Sequence, residues 1–196
     1  MRYLSTTAHK LLVVATAVAV AGLGAASAAF AVTSPPAAAA TAIPRCTGGD
    51  SLGVWLPPDQ GNGAAGTIYY PLEFTNFSRH TCYLRGFPGV SAIDRNGKQL
   101  GSPARWETSA PFGLPRTVIL APGATAHAMF AYHDAAIFTS PGCHAVSIAS
   151  ELRVYPPNEH TATHALFGFQ VCAHPGPVYL SVGPIRPGVG GAAGNG

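Results

Sequence analysis

The sequence predicts an all-β fold, an immunoglobulin-like sandwich of two antiparallel sheets held together by two disulfides. Three observations support this prediction. Of the 196 residues, 23 are Gly and 18 are Pro, which disfavours long helices and suits short strands joined by turns. Short runs of alternating apolar and polar residues recur between those turns. Four cysteines follow an apolar N-terminal segment.

Side-chain alternation identifies the clearest strand at residues 145–155. Val146, Ile148, Leu152 and Val154 are predicted to face the core, with Ser150 as the one exception in the pattern. Two prolines end this strand, since proline cannot donate to a ladder.

A second clear strand is predicted at residues 67–76. Leu72 and Phe74 are expected to point inward and Glu73 outward, while Pro71 indicates a free edge or a bulge. Asn96-Gly97 predicts a tight hairpin, and Pro122-Gly123 suits a type II turn. Further strands are predicted over residues 51–56, 82–84, 90–94, 99–101, 117–120, 126–132, 165–172 and 178–182.

The first 31 residues have the pattern of a secretory signal peptide. Two basic residues precede an apolar run over residues 11–23, and small residues follow it. Cleavage motifs of the A-x-A type place the cut after Ala28 or after Ala31, and we prefer Ala31. An uncleaved anchor is the alternative, because the apolar run approaches the roughly 20 residues that span a bilayer. The pattern predicts export to the cell envelope or the extracellular space.

Low-complexity segments flank the predicted domain, which we place at residues 46–186. Residues 32–45 are rich in Ala and Pro and have almost nothing to bury, which is typical of a flexible stalk. Residues 187–196 consist mainly of Gly and Ala and are predicted to form a disordered tail. One core of ordinary domain size, roughly 100 to 150 residues, lies between these segments.

The four cysteines are Cys46, Cys82, Cys143 and Cys172. Disulfides persist in oxidising compartments, so two bridges are expected. Three pairings are possible, and we prefer Cys46 with Cys82 and Cys143 with Cys172, because each bridge then links neighbouring strands. A structural zinc site normally uses close pairs such as C-x2-C, and these cysteines are all far apart in sequence.

Charged residues make up only 10% of the chain, against roughly 25% in an average soluble protein. Removing Arg2 and Lys10 with the signal from the 11 Lys and Arg residues leaves nine, against eight Asp and Glu. The remaining basic residues, such as Arg85 and Arg153, are scattered singly along the sequence, whereas nucleic-acid binding needs them clustered. Neither a nucleic-acid partner nor a stable membrane span after signal cleavage is therefore expected.

Several sequence blocks follow one another within residues 46–187. They read YPLEFTN at 70–76, TCYLRGFPGV at 81–90, LAPGATA at 120–126 and LRVYPP at 152–157. In these blocks the chain resembles the actinobacterial secreted domain of unknown function numbered 4232 (DUF4232). The resemblance implies an exported or lipid-anchored β-sandwich with two disulfides and no established activity. It supplies no catalytic residues, and the lipid-anchor cysteine expected of many members is missing here.

Three motifs suggest chemistry, and each has a simpler structural interpretation. Residues 61–66 spell G-x-G-x-x-G, but strand-forming residues follow where nucleotide binding needs a helix, so a flexible loop is expected. His160 and His164 have the spacing of metal ligands on a helix, yet their context predicts a solvated loop. His127 and Met129 share one face of a strand, as in copper carriers, but soft-metal sites use several sulfur ligands. We therefore predict no cofactor, no metal site and no catalytic constellation.

One long loop, residues 103–116, carries the strongest signal for binding. It contains Arg105, Trp106, Phe112 and Arg116, and Trp and Arg are enriched at contact hot spots. Both aromatic rings could instead plug the open end of the sandwich, because large aromatic side chains are usually mostly buried. If they form a contact surface, Ala at either ring position should leave the melting temperature nearly unchanged.

These features predict an exported, non-catalytic β-sandwich module that binds a protein, a wall polymer or a small ligand at the cell envelope. A copper carrier that uses His127 and Met129 is the alternative. A secreted hydrolase is a weaker alternative, because no nucleophile elbow or paired carboxylates stand out in the sequence.

Overall fold

The computed structural model describes residues 42–135, 143 and 146–191. The predicted signal peptide and most of the predicted stalk lie outside these residues. In the described part, the chain forms strands and one short 3-10 turn at Gly49–Ser51. No helix there is long and apolar enough to cross a membrane.

Thirteen strands lie in the described residues. They are β1 (Leu52–Trp55), β2 (Asn62–Ala64), β3 (Thr67–Asn76), β4 (Cys82–Arg85), β5 (Gly89–Ile93), β6 (Gln99–Leu100), β7 (Arg105–Trp106), β8 (Thr117–Leu120), β9 (Thr125–His133), β10 (Val146–Tyr155), β11 (Thr163–Cys172), β12 (Leu180–Val182) and β13 (Arg186–Pro187).

The strands form three sheets. The largest contains β1, β3, β9, β12 and β7 in that order, with β2 added to β3 and β13 added to β9. The second contains β11, β10, β5 and β6, and β4 pairs with β8 in a third. Buried side chains from all three share one core, among them Leu72, Leu84 and Leu152. The all-β fold with antiparallel sheets is confirmed, although the small third sheet was not predicted, and the immunoglobulin-like topology stays a prediction.

β3 lies inside the largest sheet, and its inward face follows the predicted alternation. Leu72 and Phe74 are fully buried. On one side β3 pairs with β2 near its start and with β1 near its end, so Pro71 lies between these two partners. At Pro71, β3 therefore has no strand partner on this side, which suits a residue without an N–H group, although Pro71 is buried and the edge is not exposed.

The buried face of β10 changes at Ser150. The register with β11 shifts between Ala149 and Glu151, so that two residues of β11 stand opposite Ser150. Such a bulge reverses the alternation, and as a result Ala149 is buried while Ile148 is 71% exposed. The prediction that Ile148 faces the core is therefore wrong. The side chain of Val146 lies outside the described part.

The predicted turns are confirmed by their glycines. Gly97 has a φ of +78° between β5 and β6, and Gly123 has a φ of +76° between β8 and β9. The G-x-G-x-x-G string also forms a turn, because Ala65 and Gly66 have φ values of +51° and +79° and close the hairpin of β2 and β3. A strand follows this string, as the sequence indicated.

Both disulfides are present, in the preferred pairing. Cys46 bonds to Cys82 with a Cα–Cα distance of 4.9 Å, and Cys143 bonds to Cys172 with a distance of 5.0 Å. The last residues of the predicted stalk are also attached to β4, since the Pro44 carbonyl accepts a hydrogen bond of 2.9 Å from the Tyr83 N–H.

The chain after β13 lies across the outer face of β3 and β9, and we call residues 188–191 the C-terminal strap. The His127 Nδ1 donates a hydrogen bond of 2.8 Å to the Gly188 carbonyl, and the Gly190 N–H donates one of 2.8 Å to Glu73 Oε1. The sequence assigned residues 187–196 to a disordered tail, whereas residues 187–191 are held against the sheet. Residues 192–196 lie outside the described part.

Candidate functional site

The structure separates the four candidate contact residues of the long loop. Phe112 is only 6% exposed, and its ring lies 6.1 Å from that of Tyr69 on the outer face of β3, so it is buried and is not available as a contact residue. Trp106 is 62% exposed, and Arg105 and Arg116 are exposed as well. The two aromatic rings of this loop therefore have different roles.

Trp106 is exposed but fixed in position. Its indole ring stacks on Phe87 with centroids 5.4 Å apart and planes 17° apart. Its Nε1 donates a hydrogen bond of 3.2 Å to the Pro88 carbonyl, and the backbone of β7 pairs with β12. We call Phe87 and Trp106 the aromatic platform, a flat apolar surface at one edge of the largest sheet.

Glu107 organises the start of the loop beside the platform. Its Oε1 accepts hydrogen bonds from the Thr108 and Ser109 N–H groups, at 2.9 and 3.0 Å, and its Oε2 accepts one of 3.2 Å from Arg105. The hydrogen bonds from Ser109 and Thr108, with a smaller effect of Arg105, lower the pKa of this carboxyl. Glu107 is therefore ionised, and it already compensates Arg105.

The fold brings the backbone of three arginines that are far apart in sequence close together. Arg85 at the end of β4 pairs with Thr117, which directly follows Arg116. The carbonyl of Gly86, the residue after Arg85, accepts a hydrogen bond of 2.9 Å from the N–H of Ile185, which directly precedes Arg186. We call Arg85, Arg116 and Arg186 the arginine group.

Arg85 connects the arginine group to the aromatic platform along the chain. Arg85 and Pro88 are three residues apart, which is at most about 10 Å of chain, and the platform contacts lie at Phe87 and Pro88. Among the described residues, none of the three arginines forms an ion pair. Among these residues, no acidic side chain therefore compensates the charges of the arginine group.

Sequence reasoning identified Trp106 and Arg116 but missed the rest of this surface. Phe87 and Arg186 lie outside the long loop, and no spacing in the sequence relates them to it. The basic residues are scattered along the chain, as expected, and the fold brings the backbone segments of the arginine group close together.

The family comparison covers this whole surface. A family model described as "Domain of unknown function (DUF4232)" matches residues 46–186, which is more than half of the chain. The chain belongs to the DUF4232 family. The resemblance seen in the sequence blocks is thereby confirmed. No curated protein and no solved structure matches the chain.

The candidate metal ligands of the DUF4232 domain do not come together. His127 and Met129 are both on β9, but the Nδ1 of His127 is engaged with the strap. His160 is exposed in a loop. His164 lies on β11, and its Nδ1 is 2.9 Å from Oε2 of Glu151 on β10. Within the described residues, no three or more His, Cys, Asp or Glu side chains form a group that could hold a metal ion.

The DUF4232 domain also contains a buried carboxyl that the sequence did not indicate. Glu73 points to the outer face of β3, as predicted, but the C-terminal strap covers it and it is 0% exposed. Its Oε2 has no hydrogen-bond partner among the described residues. Burial raises the pKa of Glu73 to about 7, and the hydrogen bond from Gly190 only partly opposes this shift.

The E73Q variant should show a weaker pH dependence of stability than the wild-type protein. The pKa of Glu73 is higher in the folded state than in the unfolded state, so protonated Glu73 stabilises the folded state. This contribution is fully present below about pH 4.5 and is lost as the pH rises through about 7. The wild-type free energy of unfolding should therefore fall by about 2.5 kcal/mol between pH 5 and pH 8. Gln keeps the acceptor for Gly190 and stays neutral.

Urea unfolding at several pH values between 5 and 8 checks this prediction. The matched control is D59N, which neutralises an exposed carboxyl and should keep the wild-type pH dependence. An E73Q profile as steep as that of D59N would show that Glu73 is not the titrating group.

Proposed function

We propose that this chain is an exported, non-catalytic binding module and that the aromatic platform contacts its ligand. The observation that carries this proposal is the state of Trp106, which is 62% exposed yet held by Phe87 and by the Pro88 carbonyl. A large ring that is already fixed loses little conformational entropy when a ligand covers it. Trp is also the residue type most typical of binding hot spots, together with Tyr and Arg.

Two features support the exported part of the proposal. Both disulfides, Cys46–Cys82 and Cys143–Cys172, are of the kind that persists in oxidising compartments. The first 31 residues have the sequence pattern of a signal peptide. A module at the cell envelope would encounter wall polymers and other exported proteins.

The W106A variant should lose binding to the cell envelope. The measurement is co-sedimentation of the purified, disulfide-bonded protein with insoluble envelope material from the organism that encodes it. We expect at least about a tenfold weaker association, which is the usual cost of removing a hot-spot side chain. The free energy of unfolding should fall by only about 1 to 2 kcal/mol, from the lost stacking and hydrogen bond.

The matched control is W55A. Trp55 is 42% exposed and donates a hydrogen bond of 3.3 Å to Thr75, but it lies on β1, at the other end of the strand order of the largest sheet. W55A should bind as the wild-type protein does. Equal binding by W106A and the wild-type protein, or equal losses in W106A and W55A, would contradict the proposal.

A further inference from the structure

We infer that the ligand of the aromatic platform is an acidic polysaccharide, recognised by its sugar rings at Trp106 and by its carboxylates at the arginine group. This inference rests on the proposed function and specifies its ligand. It follows from three properties of the surface: uncompensated positive charge, a ring with no free polar atom, and the short distance between the two.

The charge around the platform is unbalanced. The acidic residues on the adjoining segments, Glu107 and Glu159, already contact Arg105 at 3.2 Å and Arg45 at 3.8 Å. The side chain of Asn158, the residue before Glu159, donates a hydrogen bond of 3.3 Å to the Arg85 carbonyl. This contact places the Arg45–Glu159 ion pair beside the arginine group. Five of the nine basic residues after the signal therefore adjoin the platform, with only two of the eight acids. A ligand that fits this surface is an anion.

Guanidinium groups specify the kind of anion. A planar guanidinium forms two parallel hydrogen bonds with a carboxylate, which makes arginine suited to repeated carboxylate groups. Arg186 is itself oriented by the loop, because its guanidinium packs on Gly113, where the φ of +81° and the lack of a side chain leave room for it. At least one guanidinium is thus positioned before a ligand arrives.

The ring at the platform specifies the rest of the ligand. The only polar atom of the Trp106 side chain is Nε1, which the Pro88 carbonyl already occupies. What remains for a ligand is apolar ring surface, and a pyranose ring presents C–H groups on its face that match such a surface. A polymer of sugar acids offers both an apolar ring face and a carboxylate in every unit.

The chain provides its own reporter, because Trp55 and Trp106 are its only tryptophans. In a W55F variant, Trp106 fluorescence should change and saturate as tetragalacturonate is added, and should not change with neutral maltotetraose. The apparent affinity should fall at least about tenfold between about 50 and about 500 mM NaCl, because screening weakens exposed charge pairs. The mirror variant W106F, with Trp55 as its reporter, should show no saturable change.

Two double variants remove the same amount of charge at different places. R85Q/R116Q should bind tetragalacturonate at least about tenfold more weakly than the parent protein. R95Q/K98Q, which changes exposed residues in the hairpin between β5 and β6, should bind within about twofold of it. Equal affinity of the two double variants would overturn the role of the arginine group.

Binding of other ligands shows whether the acidic-polysaccharide assignment alone is wrong or whether the proposed function is wrong as well. If maltotetraose binds as tightly as tetragalacturonate, or if a glutamate oligopeptide or a single-stranded oligonucleotide binds more tightly than it does, the acidic-polysaccharide assignment is overturned. The proposed function then still stands, provided that W106A loses envelope binding. If W106A retains envelope binding, both are overturned.

Discussion

Removing the Cys46–Cys82 bridge should lower the free energy of unfolding by about 4 kcal/mol. The bridge closes a loop of 36 residues, and constraint of the unfolded chain over that length corresponds to about 4 kcal/mol. Both sulfur positions are buried, at 2% and 6% exposure, so the C46A/C82A variant introduces no exposed polar group. The loss is a large part of the roughly 5 to 15 kcal/mol that stabilises a typical domain.

The Cys46–Cys82 bridge also stabilises the fold through its position, because it attaches the small two-stranded sheet to the segment before β1. Among the described strands, β4 has β8 as its one partner, and a pair of strands alone is marginally stable. The bridge fixes β4 to the preceding segment, next to the hydrogen bonds between Tyr83 and the residues before β1. Thermal unfolding of C46A/C82A with and without reductant measures the effect. A loss below about 1 kcal/mol under oxidising conditions would contradict the prediction, whereas the two proteins should become similar in stability once reductant opens both bridges.

The F112A variant should unfold with a free energy about 3 kcal/mol lower than that of the wild-type protein. Phe112 is buried against Tyr69 and Gly183, and truncation of a buried Phe to Ala typically costs 3 kcal/mol or more through lost burial and the cavity that remains. Denaturant unfolding measures this change.

The same loop provides the matched control for Phe112. Leu114 is 71% exposed, so L114A should change the free energy of unfolding by less than about 0.5 kcal/mol. A loss in F112A as small as that in L114A would show that burial of this ring does not stabilise the fold. The contact-surface interpretation expected such a small loss at both aromatic positions of the loop, and burial now separates Phe112 from Trp106.

Much of the fold could be predicted from local pattern. β3 and β8 have the predicted bounds, because alternation continues over their whole length. β2, β7 and β13 were missed, since strands of two or three residues are too short to show a period and form only because β3, β12 and β9 offer them a partner. Ile148 was assigned to the wrong face because the bulge opposite Ser150 depends on the pairing with β11, which a single strand does not reveal.

Less of the candidate site could be predicted. Trp106 and Phe112 have similar side chains and lie six residues apart in one loop, and only tertiary packing decides which is buried. The arginine group combines residues from β4, the loop before β8, and β13, so its clustering exists only in the fold. Glu73 was correctly assigned to the outer face of β3, but its burial depends on the strap, whose glycines carry no pattern that indicates where they lie.

Two long strands are each interrupted near the middle. β3 has Pro71 at the stretch between β2 and β1, and β11, the last strand of its sheet, has an extra residue at Phe167-Gly168. A foreign strand that approached the edge at β11 would meet a break in the hydrogen-bond spacing. With so few charged side chains, copies of this protein repel one another weakly. Backbone irregularity therefore protects it against aggregation where surface charge would protect a more typical protein.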